Sequence, residues 1–172
     1  MSEQSSVSMD AEKAERTKPL AWEFVRLVRP TQWAKSIFVL VGPAYHYLDP
    51  DTDVVWHTVA IPALLAAAIF ACVSSSLYIL NDILDVERDR AHPRKRKRPI
   101  ASGAVTPSQG RVLGAVLVLI ALGMSFFLDE SVRWIVLLWV AFYALNVTLY
   151  SYTFKRKVIL DVVSLSVGFV VR

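Results

Sequence analysis

Three acidic side chains at helical spacing stand out between apolar parts of the chain. Asp82, Asp85 and Asp89 are spaced i, i+3 and i+7, so a helix over 74–90 would place them within about 60° of one another on one face. Carboxylates arranged this way repel one another. A hard cation such as Mg²⁺, which takes oxygen ligands and bridges carboxylates to substrate phosphates, reverses that repulsion. We therefore predict that the three aspartates hold a divalent metal. The alternative is a solvated helix end with Asp–Arg pairs on its surface.

A dense cationic run follows the aspartates. Residues 94–98 are all Lys or Arg, and a turn-like stretch over 99–103 ends the run. Arginine binds phosphate oxygens as a fork and lysine as a point charge, so we expect the basic residues to hold phosphate. Arg94, Arg96 and Lys97 have an alternative role, which is to anchor the loop to anionic lipid headgroups. We predict no nucleic-acid partner, because the run is short and has no interleaved aromatic residues for base stacking.

The composition indicates a membrane protein. Hydrophobic residues make up 55% of the 172 positions, and apolar runs long enough to cross a bilayer recur along the chain. The single cysteine, Cys72, lies inside such a run. It therefore offers neither an intramolecular disulfide nor a zinc cluster. The fold class that we predict is an all-α membrane protein.

The polar and apolar segments predict a tail followed by a membrane domain. Residues 1–18 are predicted to be a disordered tail, and residues 19–172 the membrane domain. Leu20 to Val28 has the periodicity of an amphipathic helix lying in the membrane interface. Thr106 and Pro107 predict a helix start. The spans are predicted at about 32–48, 54–80, 112–128, 134–154 and 158–172.

The loops between these segments alternate in charge. The N-terminal segment and the loops over 81–111 and 155–157 are basic, whereas those over 49–53 and 129–133 are acidic with one arginine. By the positive-inside rule, the N-terminus, the aspartates and Lys155 lie on the cytoplasmic side of a plasma (inner) membrane. Asp161 lies on the same side, where either a site role or a favourable helix-dipole position would explain it.

These motifs resemble those of the UbiA prenyltransferase superfamily. The pattern N-D-x-x-D-x-x-x-D over 81–89 is similar to the first aspartate-rich motif of that superfamily. Two further patterns, R-P-x-Q-W-x-K over 29–35 and D-R-x-H-P-x-K-R-x-R-P-I-A-S-G over 89–103, resemble more narrowly its decaprenyl-phosphate phosphoribosyltransferase branch. Ser36 departs from the branch, where asparagine is usual. The likeness extends from about residue 20 to the end of the chain.

The resemblance implies a fold larger than this chain. Superfamily members resemble a bundle of nine transmembrane helices around a central cavity, with a second polar or acidic motif in the C-terminal half. This sequence stops in its fifth apolar segment, so the resemblance implies a UbiA-like bundle truncated after about five of nine helices. We expect a fragment, a truncated gene product, or one part of an assembly with a further copy or a separate C-terminal half.

The resemblance also implies a reaction and its residues. It implies that 5-phosphoribose moves from phosphoribosyl pyrophosphate to decaprenyl (polyprenyl) phosphate for cell-wall arabinan synthesis, with Mg²⁺ on the three aspartates stabilising the leaving pyrophosphate. A snorkelling role for the lysine at 35 and a structural role for the loop histidine at 92 are the alternatives. The residues that we predict to bind substrate are Lys35, Asn81, Arg90, His92, Lys95, Arg98 and Lys155.

Two other functions stay open on the sequence. A prenyltransferase with a prenyl diphosphate donor and an aromatic acceptor would use the same aspartates, because loss of pyrophosphate is common to both reactions. The cationic extension after Asp89 favours a donor with phosphates at both ends. A non-catalytic membrane protein or an inactive remnant is the other alternative, and it is favoured by the lack of the second motif.

Overall fold

The computed structural model of the protein describes residues 19–49 and 55–152. Within these ranges the chain is helical and contains no strand, which confirms the all-α prediction. The predicted tail, the segment over 158–172, Lys155 and Asp161 lie outside the described residues. The α-helices are α1 (Leu20–Val28), α2 (Val41–Leu48), α3 (Trp56–Leu84), α4 (Val86–Ala91), α5 (Pro107–Ser125) and α6 (Glu130–Tyr152), with 3₁₀ helices at Pro30–Leu40 and Lys95–Lys97.

Helix α1 has the bounds that its periodicity predicts. Its inner face packs into a core cluster through Leu27, which is fully buried, and through the partly buried Phe24 and Val28. Its outer face exposes Leu20 and Trp22. Most of the apolar stripe thus packs against the protein, and the location of α1 in the membrane interface stays a prediction. The helix ends at Arg29, which adopts a left-handed conformation.

Helix α3 is the central element, because every other α-helix and the long 3₁₀ helix pack against it. Its middle joins α5 and α6 in an apolar cluster around Ile69, Phe70 and Tyr143. Its end nearest the aspartates joins α1, α5 and the loop before α5 in a second cluster around Ile79 and Ile100. The second cluster holds α1 and the loop before α5 next to the aspartate stretch.

Three of the described helices are long and apolar enough to cross a membrane: α3, α5 and α6 over Glu130–Leu149. The predicted span over 32–48 is not one continuous α-helix, because it is divided between the 3₁₀ helix and α2. Gly42 and Pro43 lie in the first turn of α2, where the missing proline N–H breaks no intrahelical hydrogen bond. The membrane boundaries of all the spans stay predictions.

Helix α5 begins as predicted and packs closely against α3. Thr106 and Gln109 form a reciprocal capping box at its N-terminus. Two buried glycines one turn apart, Gly110 and Gly114, face α3. A Cβ atom on Gly114 would come within 3.3 Å of the Ser76 hydroxyl. The absent side chains therefore allow the two helices to approach closely.

Substitution of Gly114 tests this packing. We expect Gly114→Leu to lower the free energy of unfolding by about 1–3 kcal/mol, because the added side chain overpacks the contact with α3. The measurement is thermal unfolding of the detergent-solubilised chain. Gly123→Leu is the matched control, since a Cβ there meets no atom within 4 Å. Equal losses of stability in the two variants would contradict the close packing.

Candidate functional site

Two of the three aspartates are buried next to each other at the end of α3. Asp82 lies in the last turn of α3 and Asp89 lies in α4, and each side chain is 2% exposed. The predicted continuous helix over 74–90 is wrong, because Asp85 has φ −96° and ψ 7° and separates α3 from α4. Aspartate is a poor interior helix residue, since its side chain competes for backbone hydrogen bonds. Asp85 itself is partly exposed and lies 3.4 Å from Arg88.

Arginines from two distant segments neutralise the buried carboxylates. Arg98 Nη1 donates to Asp82 Oδ1 at 3.0 Å and to Asp89 Oδ2 at 2.6 Å. Arg29 Nη2 donates to both oxygens of Asp82, at 2.6 and 2.8 Å. Two carboxylates thus face two guanidinium groups, so the cluster is charge-balanced, as buried ions require. We call these four residues the aspartate–arginine cluster.

The backbone of Arg29 is strained in a way that aims its side chain at the cluster. Its φ of 55° and ψ of 60° are left-handed, which is uncommon for a residue with a side chain. Such a conformation costs about 1–3 kcal/mol and persists only where the surroundings enforce it. The guanidinium carbon lies 5.1 Å from the centre of the Tyr78 ring, one turn before Asp82 on α3, a distance at which a cation is attracted to the ring face.

A buried hydroxyl fixes the segment that carries Arg29. Ser75 is 1% exposed, and its Oγ donates to the carbonyl oxygen of Val28 at 2.7 Å. The same Oγ accepts from the indole N–H of Trp33 at 2.9 Å. Both partners flank Arg29 in sequence, so this pair of hydrogen bonds holds the turn against α3 and sets the direction of the arginine.

A cavity of about 290 Å³ opens beside the cluster. Five cationic side chains and one carboxylate line the cavity. This excess of positive charge attracts polyanions. Arg26 is held by bonds of 2.8 and 2.9 Å to the buried Glu23, and it donates to the carbonyl oxygen of Lys97 at 3.0 Å. Arg26 thereby ties α1 to the cationic loop. The lining residues are Arg26, Arg29, Asp82, Arg94, Lys97, Arg98 and Pro99.

Four lining cations were missing from the predicted set of substrate-binding residues: Arg26, Arg29, Arg94 and Lys97. For Arg26 and Arg29 a signal was present in the sequence, because they are spaced i, i+3 at the end of an amphipathic helix and stand just before Pro30. Of the residues predicted to bind substrate, Arg98 lines the cavity. Lys35 and Lys95 do not line it.

The remaining predicted residues have other contacts in this structure. The Nδ1 atom of His92 accepts from the backbone N–H groups of Arg94 and Lys95, at 3.2 and 3.4 Å, so the imidazole holds the start of the cationic loop. Arg90 is largely exposed and donates to Glu87 and to the Ala101 carbonyl. The substrate-binding roles of these residues stay predictions, as does that of Lys155.

The side chains of the aspartate stretch are of the chemical type that binds magnesium. The aspartate stretch offers only oxygen ligands, as Mg²⁺ prefers. Within the described ranges, however, no three His, Cys, Asp or Glu side chains converge on one point, and the guanidinium groups of Arg29 and Arg98 occupy oxygens of Asp82 and Asp89. A metal on Asp82 would therefore share that carboxylate with Arg29 and Arg98 or displace them.

A sequence model of the UbiA prenyltransferase family matches residues 36–172. The chain belongs to the UbiA prenyltransferase family. This family is an all-helical membrane fold, in agreement with the three apolar helices, so the protein is embedded in a membrane.

Several similar proteins carry the name decaprenyl-phosphate phosphoribosyltransferase. The one from Mycolicibacterium smegmatis is 32% identical over 90% of this chain and 47% of its own length. The one from Corynebacterium glutamicum is 31% identical over 95% of this chain and 48% of its own length. A 4-hydroxybenzoate octaprenyltransferase from Azotobacter vinelandii is 30% identical over 66% of this chain and 38% of its own length. The chain thus spans about half the length of the phosphoribosyltransferases that it matches.

Removal of Arg98 tests the charge balance of the aspartate–arginine cluster. We expect Arg98→Met to lower the free energy of unfolding by about 3 kcal/mol, because Asp89 keeps a buried charge without its arginine. Adding Asp89→Asn to this variant removes that charge and should restore much of the loss. The measurement is thermal unfolding of the four members of the double-mutant cycle. Independent, additive effects of the two substitutions would contradict the pairing.

Proposed function

We propose that this chain acts in an Mg²⁺-dependent transfer of 5-phosphoribose from phosphoribosyl pyrophosphate to decaprenyl (polyprenyl) phosphate, with release of pyrophosphate. The observation that carries the proposal is the cavity in which five cations surround the buried carboxylate of Asp82. A donor with phosphates at both ends matches so many cations better than a single diphosphate does. The names of the relatives from Mycolicibacterium smegmatis and Corynebacterium glutamicum support the same transferred group and the same acceptor.

Binding of the donor would exchange partners within the cluster. Arg29 and Arg98 form ion pairs with Asp82 and Asp89 in this structure. Phosphate oxygens compete for the same N–H donors, because arginine binds phosphate and carboxylate with the same fork geometry. The arginines then neutralise the charge that develops on the leaving pyrophosphate. The acceptor phosphate is already ionised, so the reaction needs no general base.

The carboxylates that the arginines release are the proposed metal ligands. Asp82, Asp85 and Asp89 would hold Mg²⁺, which supplies Lewis-acid stabilisation of the pyrophosphate when bound. This exchange keeps the site near neutral charge, since each carboxylate that loses an arginine gains a cation.

The setting proposed for the reaction is the cytoplasmic face of the plasma (inner) membrane. The basic loops at the aspartate end of the helices support this orientation. The acceptor would reach the cavity from the bilayer, and its product would serve the synthesis of cell-wall arabinan.

A second candidate is a prenyltransferase that joins a prenyl diphosphate to an aromatic acceptor. The similarity to a 4-hydroxybenzoate octaprenyltransferase favours it, and the same arginines and aspartates would bind its single diphosphate. The two candidates differ in donor, so product analysis separates them.

A transfer assay with a matched pair of arginine variants tests the proposal. Membranes holding the chain should move labelled phosphoribose to decaprenyl phosphate with Mg²⁺ but not with EDTA. We expect Arg29→Gln to lower the rate by about 100-fold or more, the loss typical of removing a charge-stabilising group. Arg111→Gln is the control, because Arg111 lies exposed on α5 outside the cavity.

Two results would contradict the proposed function. Formation of a prenylated aromatic product alone would favour the second candidate. Absence of any product, or equal rates in the Arg29→Gln and Arg111→Gln membranes, would remove the role of this cavity in catalysis by the chain.

A further inference from the structure

A buried carboxylate in α1 has no part in the reaction proposed above. Glu23 is 5% exposed, although it lies off the apolar stripe of the helix. Both of its carboxylate oxygens accept from Nη1 of Arg26, at 2.9 and 2.8 Å. Ion pairs at this i, i+3 spacing add little to the stability of a helix, and burial makes such a pair costly. The formation of α1 therefore does not explain the burial of Glu23.

Arg26 connects this carboxylate to the cavity. Its Nη2 donates to the carbonyl oxygen of Lys97 at 3.0 Å, across 71 positions of the sequence. A guanidinium group is planar and rigid, so the contact of Nη1 with Glu23 fixes the direction in which Nη2 meets the loop. Lys97 directly precedes Arg98, which donates to both buried aspartates. Through one guanidinium group, Glu23 is thus linked to three residues that line the cavity: Arg26, Lys97 and Arg98.

We propose that Glu23 is a positioning residue for the polyanion that the cavity binds. It holds Arg26, and through Arg26 the cationic loop over 94–98, in the arrangement that receives phosphate oxygens. Side chains that are ordered in advance lower the entropic cost of binding, and arginine has many rotamers to lose. Glu23 precedes the R-P-x-Q-W-x-K motif over 29–35 and lies outside the residues that the family model matches. The identity of the polyanion rests on the proposed function.

Two effects of Glu23 on a bound anion have opposite signs. Its negative charge repels phosphate, so its removal should tighten binding if charge alone matters. Its hydrogen bonds order Arg26, so its removal should weaken binding if it positions the cavity wall. A contribution to folding alone predicts no weakening. The direction of the change in affinity therefore separates the positioning role from the other two.

Binding of inorganic pyrophosphate to the purified full chain in EDTA, followed by isothermal titration calorimetry, measures this direction. We expect Glu23→Gln to weaken pyrophosphate binding by about fivefold, the cost of ordering one long side chain on binding. The substitution is nearly isosteric, so the packing around α1 is kept. Arg26→Lys should weaken binding by a similar factor although the net charge is unchanged, because an ammonium group is a point charge without the second nitrogen that reaches the loop.

Glu87→Gln is the matched control. Glu87 forms an ion pair with Arg90 at the same i, i+3 spacing, but it is exposed and lies outside the cavity. Its substitution removes the same charge and should not weaken pyrophosphate binding. Tighter or unchanged binding in Glu23→Gln, or no pyrophosphate binding by the unmodified chain, would overturn the positioning role.

Hydrogen–deuterium exchange without any ligand tests the link from Glu23 to the loop. The backbone amides of 96–98 donate to carbonyl oxygens within residues 92–98. We expect them to exchange about fivefold faster in Glu23→Gln and Arg26→Lys, because the loop loses an anchoring hydrogen bond, and at an unchanged rate in Glu87→Gln. Exchange that stays slow in Glu23→Gln would contradict the link. Neither readout uses phosphoribosyl transfer, so the expected binding and exchange in a chain that transfers no phosphoribose would count against the proposed function alone.

Discussion

The ion cluster of Asp82, Asp89, Arg29 and Arg98 is the constraint on which the rest of the structure depends. Two carboxylates from consecutive helices lie almost fully buried and would repel strongly if they stood alone. Their compensation comes from the end of α1 and from the loop after α4, so both segments must be held against α3. A buried ion pair is weak evidence for stability in itself. Its position next to an open cationic cavity is better explained by the binding of an anion.

Several local features follow from the need to place these arginines. Arg29 reaches Asp82 only because the chain turns through a left-handed conformation, and the Ser75 hydrogen bonds to both flanks of that turn maintain it. The bond from Arg26 to the Lys97 carbonyl oxygen ties α1 to the cationic loop that carries Arg98. The glycines of α5 bring that helix, and the turn before it, close to α3. Local strain and close packing thus serve one electrostatic arrangement.

The sequence predicted those features that local patterns determine. The bounds of α1 followed from its periodicity, the start of α5 followed from Thr106 and Pro107, and the aspartates were recognised by their spacing. The break in the helix at Asp85 was missed, because aspartates at helical spacing predict one uninterrupted helix. Asp–Arg pairs were considered only as a surface alternative, and Arg29 was missed as the partner of the buried Asp82, since it lies 53 residues away in sequence. Spacing alone does not distinguish a carboxylate that binds a metal ion from one that binds a guanidinium group. The hydrogen bond between Ser151 and Asn81 joins residues that are 70 positions apart in sequence, so no local pattern indicates it.

The exchange of carboxylate for phosphate on the arginines is tested most directly by binding of metal-free pyrophosphate to the purified chain in EDTA. If Asp82 competes with phosphate for Arg29 and Arg98, Asp82→Asn should bind pyrophosphate more tightly than the unmodified chain, and Arg98→Met more weakly. Asp85→Asn removes a charge of the same sign one turn further along the chain. Because Asp85 pairs with Arg88 rather than with Arg29 or Arg98, this substitution should raise the affinity for pyrophosphate less. Equal tightening in Asp82→Asn and Asp85→Asn would indicate general charge repulsion, and unchanged or weaker binding in Asp82→Asn would contradict the exchange.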